Sequence, residues 1–184
     1  MGVIGKGAKF SSSIFKLISL ATITVSGLIL CSSADVSPST NFLACMVLLM
    51  GLSVTICQDK SQQSTEIYSS SLITLGLALG ALLGQDLTNR IFLSALLGFM
   101  AFTLAKEKKP SFRKNLILIH LAIATVLPLG SILGSESVKM VSRLFLAITF
   151  LPLVPFHLPF AGAIENTRGA LASLWMFVWL TIGI

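Results

Sequence analysis

Charged residues are scarce in this chain, and they are missing from long stretches of it. Only 11% of the 184 residues are Asp, Glu, Lys or Arg, whereas 54% are hydrophobic and the mean hydropathy is +0.92. A typical soluble domain has about 25% charged residues. Too few polar residues are present to cover a water-exposed surface. The composition therefore excludes a soluble enzyme and a disordered regulator, and it predicts an integral membrane protein.

Residue types that usually carry chemistry are also few, with two histidines, one tyrosine and three cysteines. Cys31, Cys45 and Cys57 lack paired CxxC spacing, so we interpret them as small hydrophobic residues. No nucleophile and base cluster, no phosphate-binding glycine loop and no metal-ligand spacing occurs, so we expect no catalytic residue, no metal and no cofactor. The net charge of +6 comes without a stripe of basic and aromatic residues, which predicts no nucleic-acid partner.

Seven apolar runs approach the length of about 20 residues that a membrane-spanning helix needs. The runs are Ile14–Leu30, Phe42–Cys57, Ser69–Leu83, Ile91–Ala105, Leu116–Leu133, Val141–Phe156 and Ala170–Ile184. We therefore predict an all-α, polytopic transmembrane bundle of about seven helices, forming a single integral membrane domain over residues 1–184. No internal repeat is evident. The last run is short for a full span, which favours either a longer chain or a partner helix that completes it.

The basic residues predict an orientation in the lipid bilayer. With the N-terminus inside, ten of the thirteen Lys and Arg residues fall in inner segments, and only Arg90, Lys139 and Arg143 fall in outer ones. Basic residues are enriched on the inner side of membrane proteins. We expect a bacterial cytoplasmic membrane or an organellar inner membrane. An alternative stays open at the start of the chain, where three lysines, an apolar run and Cys31-Ser32-Ser33-Ala34 resemble a cleaved signal peptide.

Glycines recur every four residues in the third run, at Gly76, Gly80 and Gly84. Such spacing gives one flat helix face, on which another backbone can pack closely in a membrane. We predict that these three glycines pack against another helix of the chain, the alternative being chance use of glycine in a membrane helix.

The apolar runs contain one ionisable side chain well inside a span, His120 in the fifth run. One interpretation is a neutral histidine that is hydrogen-bonded to a neighbouring helix near the interface. The other is a place in a proton route, since histidine can change its charge near neutral pH. Ion pumps usually keep a charged group within the membrane, so the absence of any Asp, Glu, Lys or Arg there indicates little chemistry.

Three prolines end the sixth run, at Pro152, Pro155 and Pro159. Proline lacks a backbone N–H and crowds the preceding turn, so a continuous helix cannot contain all three. We predict that the sixth helix is broken here. Broken spans often line an ion or substrate route, which would make His157 a candidate proton-route residue. Alternatively, the prolines end the helix at the interface and His157 lies among the lipid headgroups.

The stretch Pro152-Leu153-Val154-Pro155-Phe156-His157, followed by Leu158-Pro159 and Ala161, resembles the motif after the broken helix of one membrane-protein family. These are the antiporter-like proton-translocating subunits of respiratory complex I, membrane-bound hydrogenases and multisubunit Na+/H+ antiporters. The resemblance implies a proton-route role for His157. Phe150 stands at the position of the family's pumping lysine. Phe160 and Gly162 stand near the positions where the family has Asp and His. The chain thus resembles a shortened member that has lost the central charge.

Two functions follow as expectations. The first is an integral membrane subunit of a larger ion-translocating or redox complex, mainly structural, whose partners are other integral membrane subunits and the lipid bilayer. The second is an autonomous small multi-pass transporter or permease for an uncharged or weakly polar solute.

Overall fold

The computed structural model describes residues 2–32, 37–57, 65–106, 112–150 and 169–183, and this part of the chain forms seven α-helices and no strand. The helices are α1 Gly2–Ser32, α2 Pro38–Cys57, α3 Thr65–Leu83, α4 Asp86–Lys106, α5 Phe112–Leu133, α6 Glu136–Phe150 and α7 Gly169–Gly183. The predicted all-α class is confirmed. Helices α1 to α5 are long and apolar enough to cross a membrane, and the chain is a multi-pass membrane protein.

Each predicted run overlaps one helix, but several helices begin earlier than their apolar run. Helix α2 begins at Pro38, α4 at Asp86 and α6 at Glu136. Proline is favourable at the first helical position because its missing N–H would have no partner there. Acidic residues are favourable in the first turn because the helix N-terminus carries partial positive charge. The part of the sixth run beyond Phe150 lies outside the described residues.

Helices that follow one another along the chain pack side by side, and α4 packs most extensively on α5. The core lies among α1 to α5 and α7. Its fully buried side chains include Leu97 of α4, Leu121 of α5 and Leu174 of α7. Helix α7 packs on α2 and α3 and is largely buried, whereas α6 packs on α5 and makes only a small contact with α7.

The α3–α4 and α5–α6 hairpins are built alike, fifty residues apart. Both pairs are joined by two-residue turns, and the N–H of Gly84 donates to the carbonyl of Gly80 just as that of Gly134 donates to Gly130, each at 3.0 Å. Around these turns the sequence GALLGQD of residues 80–86 corresponds to GSILGSE of residues 130–136. The two turns are therefore built alike over these seven residues.

Candidate functional site

The most concentrated polar contacts between helices lie where α4 meets the second half of α5. Pro128 is inside α5, and its missing N–H interrupts the helical hydrogen bonds. Near this interruption, Ser94 of α4 donates its hydroxyl to the carbonyl of Thr125, 2.6 Å away. Arg90 donates to the carbonyl of Ser131, also at 2.6 Å. Side chains of α4 thus anchor the α5 backbone at its weakened point, as a membrane interior requires.

Three basic side chains bind carbonyls near the C-terminal end of a neighbouring helix. Arg90 binds the α5 end at Ser131, as described above. The Lys114 ammonium lies 3.3 Å from the carbonyl of Ala105 near the end of α4, and that of Lys16 lies 3.4 Å from the carbonyl of Ile56 near the end of α2. The last four carbonyls of a helix lack partners within it and carry partial negative charge. These basic residues therefore stabilise helix ends.

His120 lies half-buried on α5, two turns into the helix. Leu121 and Ala124 on the adjoining face are buried toward the core, whereas Ile119 and Ile123 are exposed. The imidazole therefore sits at the edge of the bundle's packed face. Among the described side chains, no group of three His, Cys, Asp or Glu residues lies close enough to hold a metal ion.

The three glycines of α3 have different surroundings. A Cβ on Gly80 would lie 2.5 Å from two ring carbons of Phe92, so α3 and α4 meet closely there. Gly84 lies in the turn, where a Cβ would approach the carbonyl oxygen of Gly80 at 2.5 Å. Gly76 is exposed, and a Cβ there would meet nothing within 4 Å. Among the described residues, no atom thus lies close to Gly76, and its packing against another helix of the chain stays a prediction.

Another glycine contact was not anticipated from the sequence. Gly51 of α2 packs against the side chain of Leu75 of α3 so closely that a Cβ would clash with it. The four-residue spacing that singled out the α3 glycines does not include this position. A single glycine between apolar residues gives no pattern, so only the packing of α2 on α3 identifies it.

Two polar groups in the bundle interior lack a hydrogen-bond partner within the described structure. They are the Tyr68 hydroxyl on α3 and the Trp175 indole N–H on α7, and both side chains are at least 97% buried. Helices α3 and α7 pack against each other. A buried donor without a partner is unfavourable by about 1–3 kcal/mol.

Several predicted site residues lie outside the described residues. These are His157 and the three prolines Pro152, Pro155 and Pro159. Phe150 is the last described residue of α6, where only its backbone is described. The predicted helix break and the position of His157 in the membrane therefore stay predictions.

Comparison with known proteins adds no relative. No family model, no curated protein and no solved structure matches the chain. The resemblance to antiporter-like subunits thus rests on residues 152–161 alone.

Proposed function

We propose that the chain is an integral membrane subunit of a larger ion-translocating or redox complex, and that its own role is mainly structural. The observation that carries this proposal is the use of polar side chains in the described helices. Arg90 and Ser94 bind α5 backbone carbonyls, and Lys114 and Lys16 bind other helix ends. In a proton pump, polar and charged side chains inside the membrane move charge. Here these side chains hold helices together, which favours a structural role.

We do not expect this chain to pump protons itself, as the members of the resembled family do. That family has a lysine where this sequence has Phe150, and His157 alone supplies no fixed positive charge at neutral pH. We therefore expect that, in vesicles containing the whole assembly, His157→Gln leaves proton flux unchanged. A large loss of flux with assembly intact would show that this chain pumps protons itself.

The native mass of the gently solubilised protein tests membership of a complex. The chain alone is 19.6 kDa. A native-gel band far above the mass of a detergent-bound monomer or dimer, containing other membrane subunits, is the expected result. A monomer or dimer band from freshly solubilised native membranes would contradict the proposal.

The buried donors of Tyr68 and Trp175 favour a second candidate function, a carrier for an uncharged solute with a carbonyl or ether acceptor. Neutral O–H and N–H groups recognise such acceptors without the cost of burying a charge. If this is correct, the purified chain alone will transport such a solute after reconstitution. Tyr68→Phe, which removes only the hydroxyl, will then slow transport, whereas Phe177→Leu on α7 will not.

A further inference from the structure

Pro128 divides helix α5 into two parts that pack differently. Before it, Leu121 and Ala124 are each only 1% exposed and belong to the hydrophobic core of the bundle. After it, Leu129 and Leu133 are 39% and 86% exposed. The last turn of α5 therefore has few apolar contacts with the rest of the described chain, whereas the part before the proline is firmly packed.

The proline also makes the α5 backbone easier to bend at this point. Pro128 has no N–H to donate to the carbonyl of Ala124, and its ring crowds that carbonyl. Sharp bends in helices occur mostly at prolines for this reason. Bending here costs less than elsewhere in α5, because one backbone hydrogen bond is already missing.

Helix α4 binds α5 by one hydrogen bond on each side of Pro128. Ser94 donates to the carbonyl of Thr125, three residues before the proline, and so holds the part of α5 that belongs to the core. Arg90 donates to the carbonyl of Ser131, three residues after it. The Ser131 hydroxyl is used within α5, where it donates to the carbonyl of Pro128. In the described structure, Arg90 thus supplies the hydrogen bond that ties the last turn of α5 to α4.

The turn that follows α5 is fixed to this last turn. The N–H of Gly134 donates to the carbonyl of Gly130 at 3.0 Å, so the two would move together. Leu133 lies five residues after Pro128, which is about 8 Å along a helix. A bend of about 20° at the proline, typical of a sharp kink, would move this end of α5 by about 3 Å.

We propose that the last turn of α5 is a hinged segment that pivots at Pro128 and is latched to α4 by Arg90. With the latch closed, the guanidinium binds the Ser131 carbonyl, as in the structure. When it opens, the end of α5 swings away from α4, while Thr125 stays on Ser94 and the core part of α5 keeps its position. The hinge is a property of this chain alone and does not rest on the proposed role as a complex subunit.

Distances between spin labels on the full chain in lipid nanodiscs test the hinge, on a cysteine-free background. One pair of labels replaces Leu87 of α4 and Leu133 of α5 at the hinged end. The control pair replaces Phe102 of α4 and Leu116 of α5, near the end where Lys114 binds the carbonyl of Ala105. All four labelled positions are at least 45% exposed, so the labels fit without repacking the core.

Loss of the latch should change one distance and leave the other as it is. Arg90→Leu should lengthen the distance at the hinged end by about 3 Å and leave the control distance unchanged. Ser94→Ala removes the hydrogen bond on the core side of Pro128 and should change neither distance. Equal changes in both pairs with Arg90→Leu, or no change at the hinged end, would overturn the proposal.

Pro128→Ala separates a hinge from a general loss of packing. Alanine restores an N–H that can donate to the carbonyl of Ala124, so in the Arg90→Leu background it should return the hinged-end distance toward the parent value. Backbone amide hydrogen exchange gives a second measurement that does not depend on the folding of Arg90→Leu. In Pro128→Ala alone, residues 129–133 should exchange several-fold more slowly than in the parent, and residues 117–124 at the same rate. Unchanged exchange over 129–133, or equal slowing along all of α5, would show that Pro128 is not a pivot.

Discussion

Replacing Gly80 by alanine tests the closest approach of α3 and α4. A Cβ at this position would lie 2.5 Å from both Cγ and Cδ1 of Phe92. Carbon atoms in favourable contact are about 3.5–4.0 Å apart. Because Cγ is the ring atom nearest the backbone, rotation of the ring cannot move it away. The two helices must separate, or Phe92 must leave its position.

The expected magnitude follows from a comparison with Gly76→Ala. Extra volume in a packed site typically costs about 1–3 kcal/mol, whereas alanine in place of glycine favours a helix by about 0.8–1 kcal/mol. Gly76 lies on the same helix with nothing within 4 Å of its would-be Cβ, so Gly76→Ala gives the helix term alone. The difference in free energy of unfolding between the two variants should therefore be about 1–3 kcal/mol.

Unfolding in mixed micelles with increasing denaturing detergent provides the assay, followed by the fluorescence of the buried Trp175 and Trp179. Gly80→Ala should unfold at lower detergent fraction than Gly76→Ala. Phe92→Leu in the Gly80→Ala background should recover part of the loss, because a smaller side chain makes room. Coincident unfolding curves for the two alanine variants would refute the packing that the structure shows.

Three further predictions concern the polar contacts and the orientation. In the same assay, Ser94→Ala should lower the free energy of unfolding by about 0.5–1.5 kcal/mol. Ser53→Ala, which removes an exposed hydroxyl bonded within its own helix, should have less effect. An equal loss in both variants would contradict a role for the α4–α5 hydrogen bond. Arg90→Leu should destabilise by about 1–2 kcal/mol, since it removes a charged donor from the α5 end, and unchanged unfolding would refute that role. On a cysteine-free background, an impermeant thiol reagent should label Lys106→Cys only from the inner side of the membrane and Glu136→Cys only from the outer side. Labelling of both variants from the same side would contradict the predicted orientation with the N-terminus inside.

The helices themselves could be predicted from the sequence because hydrophobic length is a strong signal in membrane proteins. The residues at which the helices begin could not be predicted in this way, because the first turns are polar. Asp86 and Glu136 are helical because acidic residues favour a helix N-terminus. A search for apolar residues passes over them.

The polar contacts between helices could not be predicted for a different reason. Ser94 and Pro128 each have an ordinary interpretation on their own, a helical serine and a proline that breaks a helix. Only their proximity in space shows that the serine binds the backbone near the proline. The likeness of the two turns, by contrast, can be seen in the sequence itself, in residues 80–86 and 130–136.

Basic residues in this chain connect orientation with packing. Lys16, Arg90 and Lys114 each lie near the start of an apolar span and bind the C-terminal end of a neighbouring helix. Antiparallel neighbours bring a helix start beside a helix end, where the partial negative charge attracts a cation. A change of these residues that is meant to alter orientation would therefore also loosen the hairpins.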